Sequence, residues 1–449
     1  MSEIPVSPAT KQAGDTHANG TNAMRQAEVD AAMVSVPSVR SRGPFYALTF
    51  RNFRLFFYGQ LVSVVGTWMQ QVAQNWVVWD LTRDPRWLGI VSAANAIPYV
   101  MFSVWGGHIA DRYSKRTILI WMQTVQMLLA FALALLASGI WIKLQAWHIV
   151  VLSAHLGLCS AFNVPAQQAF VIELIERRDA LSNAIALSSL RFNIARVIGP
   201  LMAGVVLQKL GATWCFTLNG LSFIAVIISL LMMNVPHVEP TTHDLHVFEG
   251  FAYILRTRKV LRVIMLIGAG SLFTWSVSTI FPMLSDHFHK RQAGFTMIMI
   301  FNGLGAAVGA SLLAGAGDRL SRRLQVYGGA ILFCLSLGVM SFASEFWQIL
   351  VMLIIGGFAM IVFGMAAQTL VQEEVPDELR GRVMAVYSLV FQGLFPVGGL
   401  EIGFLANRFH VLPAIRINAV ICLAVTIAIF LWSISARRRA ELAIARTAG

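Results

Sequence analysis

Gly107-His108-Ile109-Ala110-Asp111-Arg112-Tyr113-Ser114-Lys115-Arg116 joins two apolar runs, 87–108 and 117–138. The same construction returns as Ala314-Gly315-Ala316-Gly317-Asp318-Arg319-Leu320-Ser321-Arg322-Arg323, between apolar runs 293–316 and 324–343. The shared pattern is small-x-x-small-Asp-Arg-x-Ser-basic-basic, displaced by 207 residues. A second echo stands at a displacement near 200: Glu173 and Glu373 end their apolar runs alike, and Gly199 and Gly204 correspond to Gly398 and Gly403. One Asp-Arg pair is a cheap coincidence; two echoes in register at corresponding helix ends mark an internal duplication. Parallel repeats about an axis along the membrane normal are a recurring transporter architecture.

The chain has 449 residues, 57% of them hydrophobic and 12% charged. Soluble domains run nearer 45–50% apolar and about 25% charged, so a water-soluble protein of this length is excluded. From Phe50 onward the apolar runs are each long enough to cross a hydrocarbon core of roughly 30 Å. They fall at 54–79, 87–108, 117–138, 147–171, 182–208, 212–234, 259–285, 293–316, 324–343, 347–371, 382–405 and 412–435. Runs of this length in lipid must be helices, because a helix satisfies its own backbone. The expected fold is an all-α polytopic membrane protein with twelve transmembrane helices in two pseudo-symmetric six-helix bundles. Its parts are a disordered tail 1–45, an N-terminal bundle 46–234, a linker 235–258, a C-terminal bundle 259–436 and a basic tail 437–449. Phe248, Phe251 and Leu255, followed by Arg256, Arg258 and Lys259, read as a short helix on the membrane surface.

Orientation follows from the basic residues. One set of connections and flanks carries 21 Lys and Arg, including Arg112, Lys115, Arg116, Arg256, Arg258, Arg380 and Arg382, while the other carries 8, including Arg83, Lys143 and Arg291. An even number of spans puts both termini on the richer side, the cytoplasm. The net charge of +12 therefore marks one face of a bilayer and not a nucleic-acid partner. Cys159, Cys215, Cys334 and Cys422 all lie in apolar runs without metal-ligand spacing. No metal or cofactor site is expected, and without a Gly-Lys-Ser/Thr the chain carries no P-loop.

Polar groups inside lipid-length helices need partners or a wet cavity. Gln60, Ser63, Thr67, Gln71 and Gln74 recur every three or four residues and form one stripe on the first span. Asn95, Gln123, Gln126 and Gln368 are isolated amides that read as inter-helix hydrogen bonds. Arg191, Arg196 and Glu401 are the ionisable residues most clearly within spans. Arg191 lies about 14 Å and Arg196 about 21 Å from the start of its span, and Glu401 roughly 28 Å along its own. Asn193 and Arg196 share a face. Gly303, Gly305 and Gly309 lie within a span and read as helix-packing positions.

The Gly107, Asp111-Arg112 and Lys115-Arg116 pattern resembles the signature of the major facilitator superfamily, with Ser114 at a position where glycine is usual. Gly199-Pro200-x-x-x-Gly204 resembles that superfamily's antiporter motif, with Ala203 in place of its first paired glycine. Pro165-Ala166-Gln167-Gln168-Ala169-Phe170-Val171, Asn183-Ala184-Ile185-Ala186-Leu187 and Asn193-x-x-Arg196-x-x-Gly199-Pro200, with Arg380-Gly381-Arg382, resemble the bacterial branch that includes the enterobactin exporter, the transmembrane secretion effectors. The resemblance covers residues 50 to 436 and implies a multi-pass protein of the bacterial inner membrane. It implies an exporter of an amphipathic or lipophilic small molecule, siderophore-like or drug-like, working by alternating access; with no P-loop, the energy is expected from a gradient, with the proton as coupling ion. It also implies that spans 2 and 11 meet across the two halves. Gating is then expected of Gly107, Asp111, Arg112, Glu173, Asp318, Arg319, Glu373, Arg380 and Arg382. Arg112 and Arg319 are expected to pair with Glu173 and Glu373, and Asp111 to cap the start of span 11 beside Arg380 or Arg382. Asp318 would meet the start of span 5 near Ser182 and Asn183. Gln60, Thr67, Gln71, Gln74, Asn193, Arg196 and Glu401 are the cavity and coupling candidates.

The expected partners are a small-molecule substrate, a proton as coupling ion and the lipid bilayer, with no nucleic acid and a monomeric chain. The competing reading is a non-transporting membrane sensor or assembly scaffold on the same fold. A membrane enzyme is disfavoured, since no Ser-His pair or His/Asp cluster shares a depth. The topology is open to a direct check. A reporter active only outside the cytoplasm should be active when fused after Lys143 or Arg291 and silent after Arg258, and the reverse pattern would overturn the orientation.

Overall fold

A backbone in hydrocarbon must close its own hydrogen bonds, and each expected span is helical. The computed structural model describes residues 43, 45–140, 142–175, 177–234, 247–316 and 319–447. The helices are α1 (Arg51–Thr82), α2 (Pro85–Arg112), α3 (Lys115–Ser138), α4 (Ala146–Glu173), α5 (Arg178–Lys209), α6 (Ala212–Leu231), α7 (Val247–Arg256), α8 (Arg258–Phe273), α9 (Phe281–His287), α10 (Arg291–Ala316), α11 (Arg322–Met340), α12 (Phe346–Glu374), α13 (Asp377–Phe409) and α14 (Val411–Thr447). Among the described residues there is no strand. Met1–Tyr46 and Ala47–Gly449 are separate units. The tail expected over 1–45 lies outside the described residues save for Gly43 and Phe45, as do linker residues 235–246 and Asp318.

Eleven helices among the described residues are long and apolar enough to cross a membrane, with Arg258–His287 counted as one. α1 is not among them, because Gln60, Gln70, Gln71, Gln74, Asn75 and Asp80 dilute its apolar character. Two expectations change. Span 7 is not one helix but α8, a 3₁₀ turn at Trp275–Ile280, and α9. Pro282, at the start of α9, lacks the N–H that would continue the ladder and crowds the preceding turn. The segment after 436, expected as a tail, continues α14 to Thr447, because Ala, Arg, Glu and Leu are good helix formers. The side chains of 436–449 lie outside the described residues.

Caps fix where the helices begin. The Asp84 side chain accepts a hydrogen bond from Arg86 N, with Pro85 in the first turn of α2. Gln145 with His148 and Glu345 with Gln348 form capping boxes at the starts of α4 and α12, 200 residues apart. Each satisfies two orphan N–H groups where a helix enters the bilayer.

The pattern of neighbours repeats. α1 packs on α5 and α6, α4 on α2 and α3, and α3 on α6. In the later helices α8 packs on α13 and α14, α12 on α10 and α11, and α11 on α14. The closest approaches repeat too. A Cβ at Gly157 would overlap the Asn95 carbonyl, and one at Gly357 would overlap that of Asn302. Without a hydrophobic drive between helices in lipid, such small-residue contacts supply the packing. The earlier and later helices then meet along α2–α13 and α5–α10, which is the meeting of spans 2 and 11.

Gly157→Val must push α4 off α2, an overpacking cost of about 1–3 kcal/mol. It should lower the thermal unfolding midpoint in detergent, whereas Gly315→Val, which has nothing within 4 Å of the new Cβ, should leave it unchanged.

Candidate functional site

The duplicated connections form matching clusters. α3 and α4 are antiparallel neighbours, so the start of one meets the end of the other. Lys115 Nζ lies 2.6 Å from Glu173 Oε1, and Arg322 Nε lies 3.3 Å from Glu373 Oε1. The next basic residue in each copy braces the final helix of its own half. Arg116 donates to the Leu230 and Leu231 carbonyls at 2.7 and 2.9 Å, and Arg323 to Ser433 Oγ at 2.7 Å. The glutamates are thus engaged by the basic residue three positions beyond the expected Arg112 and Arg319, both of which are exposed. Gly107 and Asp111 are half-buried at the end of α2, and among the described residues Asp111 has no hydrogen-bond or ion-pair partner. Arg380 donates to the Gln372 carbonyl at 3.1 Å, and Arg382 pairs with Glu249 on the surface helix α7. Neither reaches Asp111 in this conformation.

At the opposite end the contacts cross between the halves. Arg83 bonds Asp80 at 2.5 Å and Asp286 at 3.0 Å. Asn407 approaches Asp84 at 3.4 Å. The Arg86 hydrogen bonds at Asp84 hold that carboxyl below its usual range against the effect of burial, so the cap stays anionic. Trp76 stacks on Phe295 with ring centroids 6.1 Å apart. Below this, Gly89 faces the Gly399 carbonyl and Leu400, and Gly204 faces Thr296. Tyr99 accepts from Gln392 at 3.1 Å, and Val197 lies against Gly303. The helix 5 motif is therefore structural in part: Gly199 lets Trp68 of α1 approach, Gly204 admits α10, and Pro200 leaves α5 continuous.

The polar stripe of α1 divides. Gln60 and Ser63 are buried, Thr67 and Gln71 are exposed, and Gln74 donates to Ser153 at 3.0 Å. A fully buried amide of α1 that bonds across helices is Gln70, one residue off the stripe, which accepts from Asn219 at 2.7 Å. Sequence spacing gives no reason to choose it over Gln71. Asn95 donates to the Ser153 carbonyl and Gln123 to Asn163. Arg191 sits over the Phe56 ring at 5.4 Å, and its Nε and Nη1 are buried without acceptors. Arg196 crosses to the later helices and donates to Met360 Sδ at 3.2 Å. The side chain of Asn193 lies outside the described residues. Glu401 accepts from Asn418 at 2.9 Å, linking α13 to α14. Trp275, in the break of span 7, packs against Phe333, Phe363 and Phe391 at 5.1–5.7 Å. No group of three or more His, Cys, Asp or Glu among the described residues could hold a metal.

An all-helical membrane chain with duplicated basic connections, two small-residue seams and buried polar groups at their meeting has the build of a transporter. Residues 42–446 match the family described as transmembrane secretion effector, and the chain belongs to that family, within the major facilitator superfamily. It is 25% identical over 389 residues to the staphyloferrin A transporter of Staphylococcus aureus, covering 84% of this chain and 95% of that one. It is 22% identical over 392 residues to macrolide efflux protein A of Streptococcus pyogenes, covering 84% and 96%. A crystal structure of a POT family transporter in complex with 5-aminolevulinic acid shares the fold with a TM-score of 0.71 at 13% identity, over 86% of this chain and 96% of that one. The protein is a membrane transporter and not an enzyme.

The two glutamate pairs differ in exposure: 13% and 16% for Lys115 and Glu173, against 32% and 53% for Arg322 and Glu373. Glu173→Gln strands a nearly enclosed ammonium and should cost about 1.5–3 kcal/mol. Glu373→Gln, at a solvated pair, should cost less than about 1 kcal/mol. Unfolding midpoints of the two variants in one detergent give the comparison.

Proposed function

We propose that this protein is a secondary active exporter of an amphipathic or lipophilic small molecule, siderophore-like or drug-like, working by alternating access with proton coupling across the bacterial inner membrane. Twelve spans form two six-helix bundles, 46–234 and 259–436, joined through 235–258, with both termini cytoplasmic. One observation carries the reading: the contacts that join the halves gather toward one end. There lie Arg83–Asp286, Trp76–Phe295, Gly89–Gly399 and Gly204–Thr296. At the end with the duplicated connections, the ion pairs Lys115–Glu173, Arg322–Glu373 and Lys259–Glu374 each stay within one half, and Arg382–Glu249 ties the later half to the linker. A scaffold has no use for a seam that is tight at one end and loose at the other. A transporter needs one at each end in turn.

In this reading the conformation is closed outward and open inward, and the 83–86 connection is the outer latch. The reverse state brings α2 and α13 together at their cytoplasmic ends, where Asp111 can cap the start of α13. Arg380 and Arg382 would then exchange their present partners for it, a charge-assisted contact worth about 1.5–3 kcal/mol and able to shift a two-state balance ten-fold or more. Glu401 is the proton carrier: it is a half-buried carboxyl within α13 whose hydrogen bond to Asn418 ties α13 to α14.

The test is flux. The metabolite missing from the medium of a deletion strain, supplied labelled to inside-out vesicles, should accumulate while a proton gradient stands and stop when it is collapsed. Glu401→Gln should lose gradient-driven accumulation and keep binding. Undiminished coupled flux in that variant removes Glu401 from the mechanism.

A further inference from the structure

Arg196 lies near the middle of the 32-residue helix α5. The one hydrogen bond of its guanidinium among the described residues goes to the Met360 thioether at 3.2 Å, and thioether sulfur is a weak acceptor. A guanidinium keeps its charge in proteins and offers five donors in a planar fork. Inside a membrane such a charge normally finds a carboxylate or water. Arg196 has no ion pair among the described residues, and the half-buried carboxylate of Glu401 is held by Asn418. Arg191 faces elsewhere. Five residues away, it is about 140° round the helix, beside Phe56 of its own half. Its Nε and Nη1 are buried without acceptors, whereas Arg196 is half-buried.

Met360 belongs to α12, so the fork reaches from the earlier helices across to the later ones.

Resting on the transporter reading, we propose that Arg196 binds an oxyanion of the exported molecule, so that the cargo class is an amphipathic carboxylate. The carboxylate supplies the bidentate acceptor that the chain withholds.

The test uses purified full-length protein and three probes with one apolar body: pyrenebutyrate, pyrenebutyramide and pyrenebutylamine. Binding is followed by tryptophan-to-pyrene energy transfer with no gradient present. The carboxylate should bind about ten-fold or more tightly than the amide, as a charge-assisted contact requires, and the amine most weakly. Arg196→Lys should keep part of that preference. Arg196→Gln should erase it while holding the amide within about two-fold. Ligand-free Arg196→Gln should melt no lower than the unmodified protein, since the variant gives up only a weak hydrogen bond to a thioether. Equal affinity for carboxylate and amide, or a preference that survives in Arg196→Gln, overturns the proposal. So does a lower melting point with loss of all three probes, which would make Arg196 structural. Carboxylate preference without flux in vesicles would instead count against the transport cycle and leave the anion site standing.

Discussion

Hydrocarbon offers a peptide group no hydrogen-bond partner, and the rest of the structure answers to that constraint. It forces each span into a helix that closes its own ladder. It also removes the hydrophobic drive that would press helices together in water, so adhesion depends on how closely backbones can approach. Gly157 on Asn95 and Gly357 on Asn302 bring carbonyl oxygens to where a side chain would otherwise stand. Around these two contacts α2, α3 and α4, and again α10, α11 and α12, take the same neighbours. The seams between halves use the same device at Gly89, Gly204 and Gly403, beside a few directional bonds such as Arg83–Asp286 and Gln392–Tyr99.

Duplication has preserved chemistry more faithfully than residue identity. A lysine holds Glu173 where an arginine holds Glu373. Gln145 and His148 do at α4 what Glu345 and Gln348 do at α12. Arg116 takes backbone carbonyls at the end of α6, whereas Arg323 takes a serine hydroxyl on α14. In each pair the role is fixed by position at a helix end, where orphan N–H or C=O groups must be met, and several side chains can meet them.

The helical architecture was legible because it is written in run length and repeat spacing, which need no partner to read. The Asp-Arg connections after α2 and α10 located the duplication and the two ends of the protein from sequence alone. Pairing was not legible at the same grain. Glu173 could be seen to want a cation, but whether Arg112 or Lys115 supplies it depends on α3 starting beside the end of α4. Gln70 and Gln71 are indistinguishable in spacing, yet one is buried against Asn219 and the other exposed, a difference set by the rotation of α1 against α6. Asp286 gave no sign of meeting Arg83, since 203 residues separate them. The fracture of span 7 had a visible cause in Pro282, but apolar run length, the strongest signal there, reads straight through a proline.

That fracture makes the two halves unequal as mechanical parts. α1 runs unbroken through 32 residues, while its counterpart is divided into α8, a 3₁₀ turn and α9. Short 3₁₀ stretches within helices are natural hinges, and this one is clasped by Trp275 and three phenylalanines. A stiff strut faces a jointed one across the same axis. Asp286, in α9, is separated from α8 by this aromatic-clasped turn, whereas Arg83 follows directly on the unbroken α1. The symmetry inherited in the fold is therefore not a symmetry of stiffness.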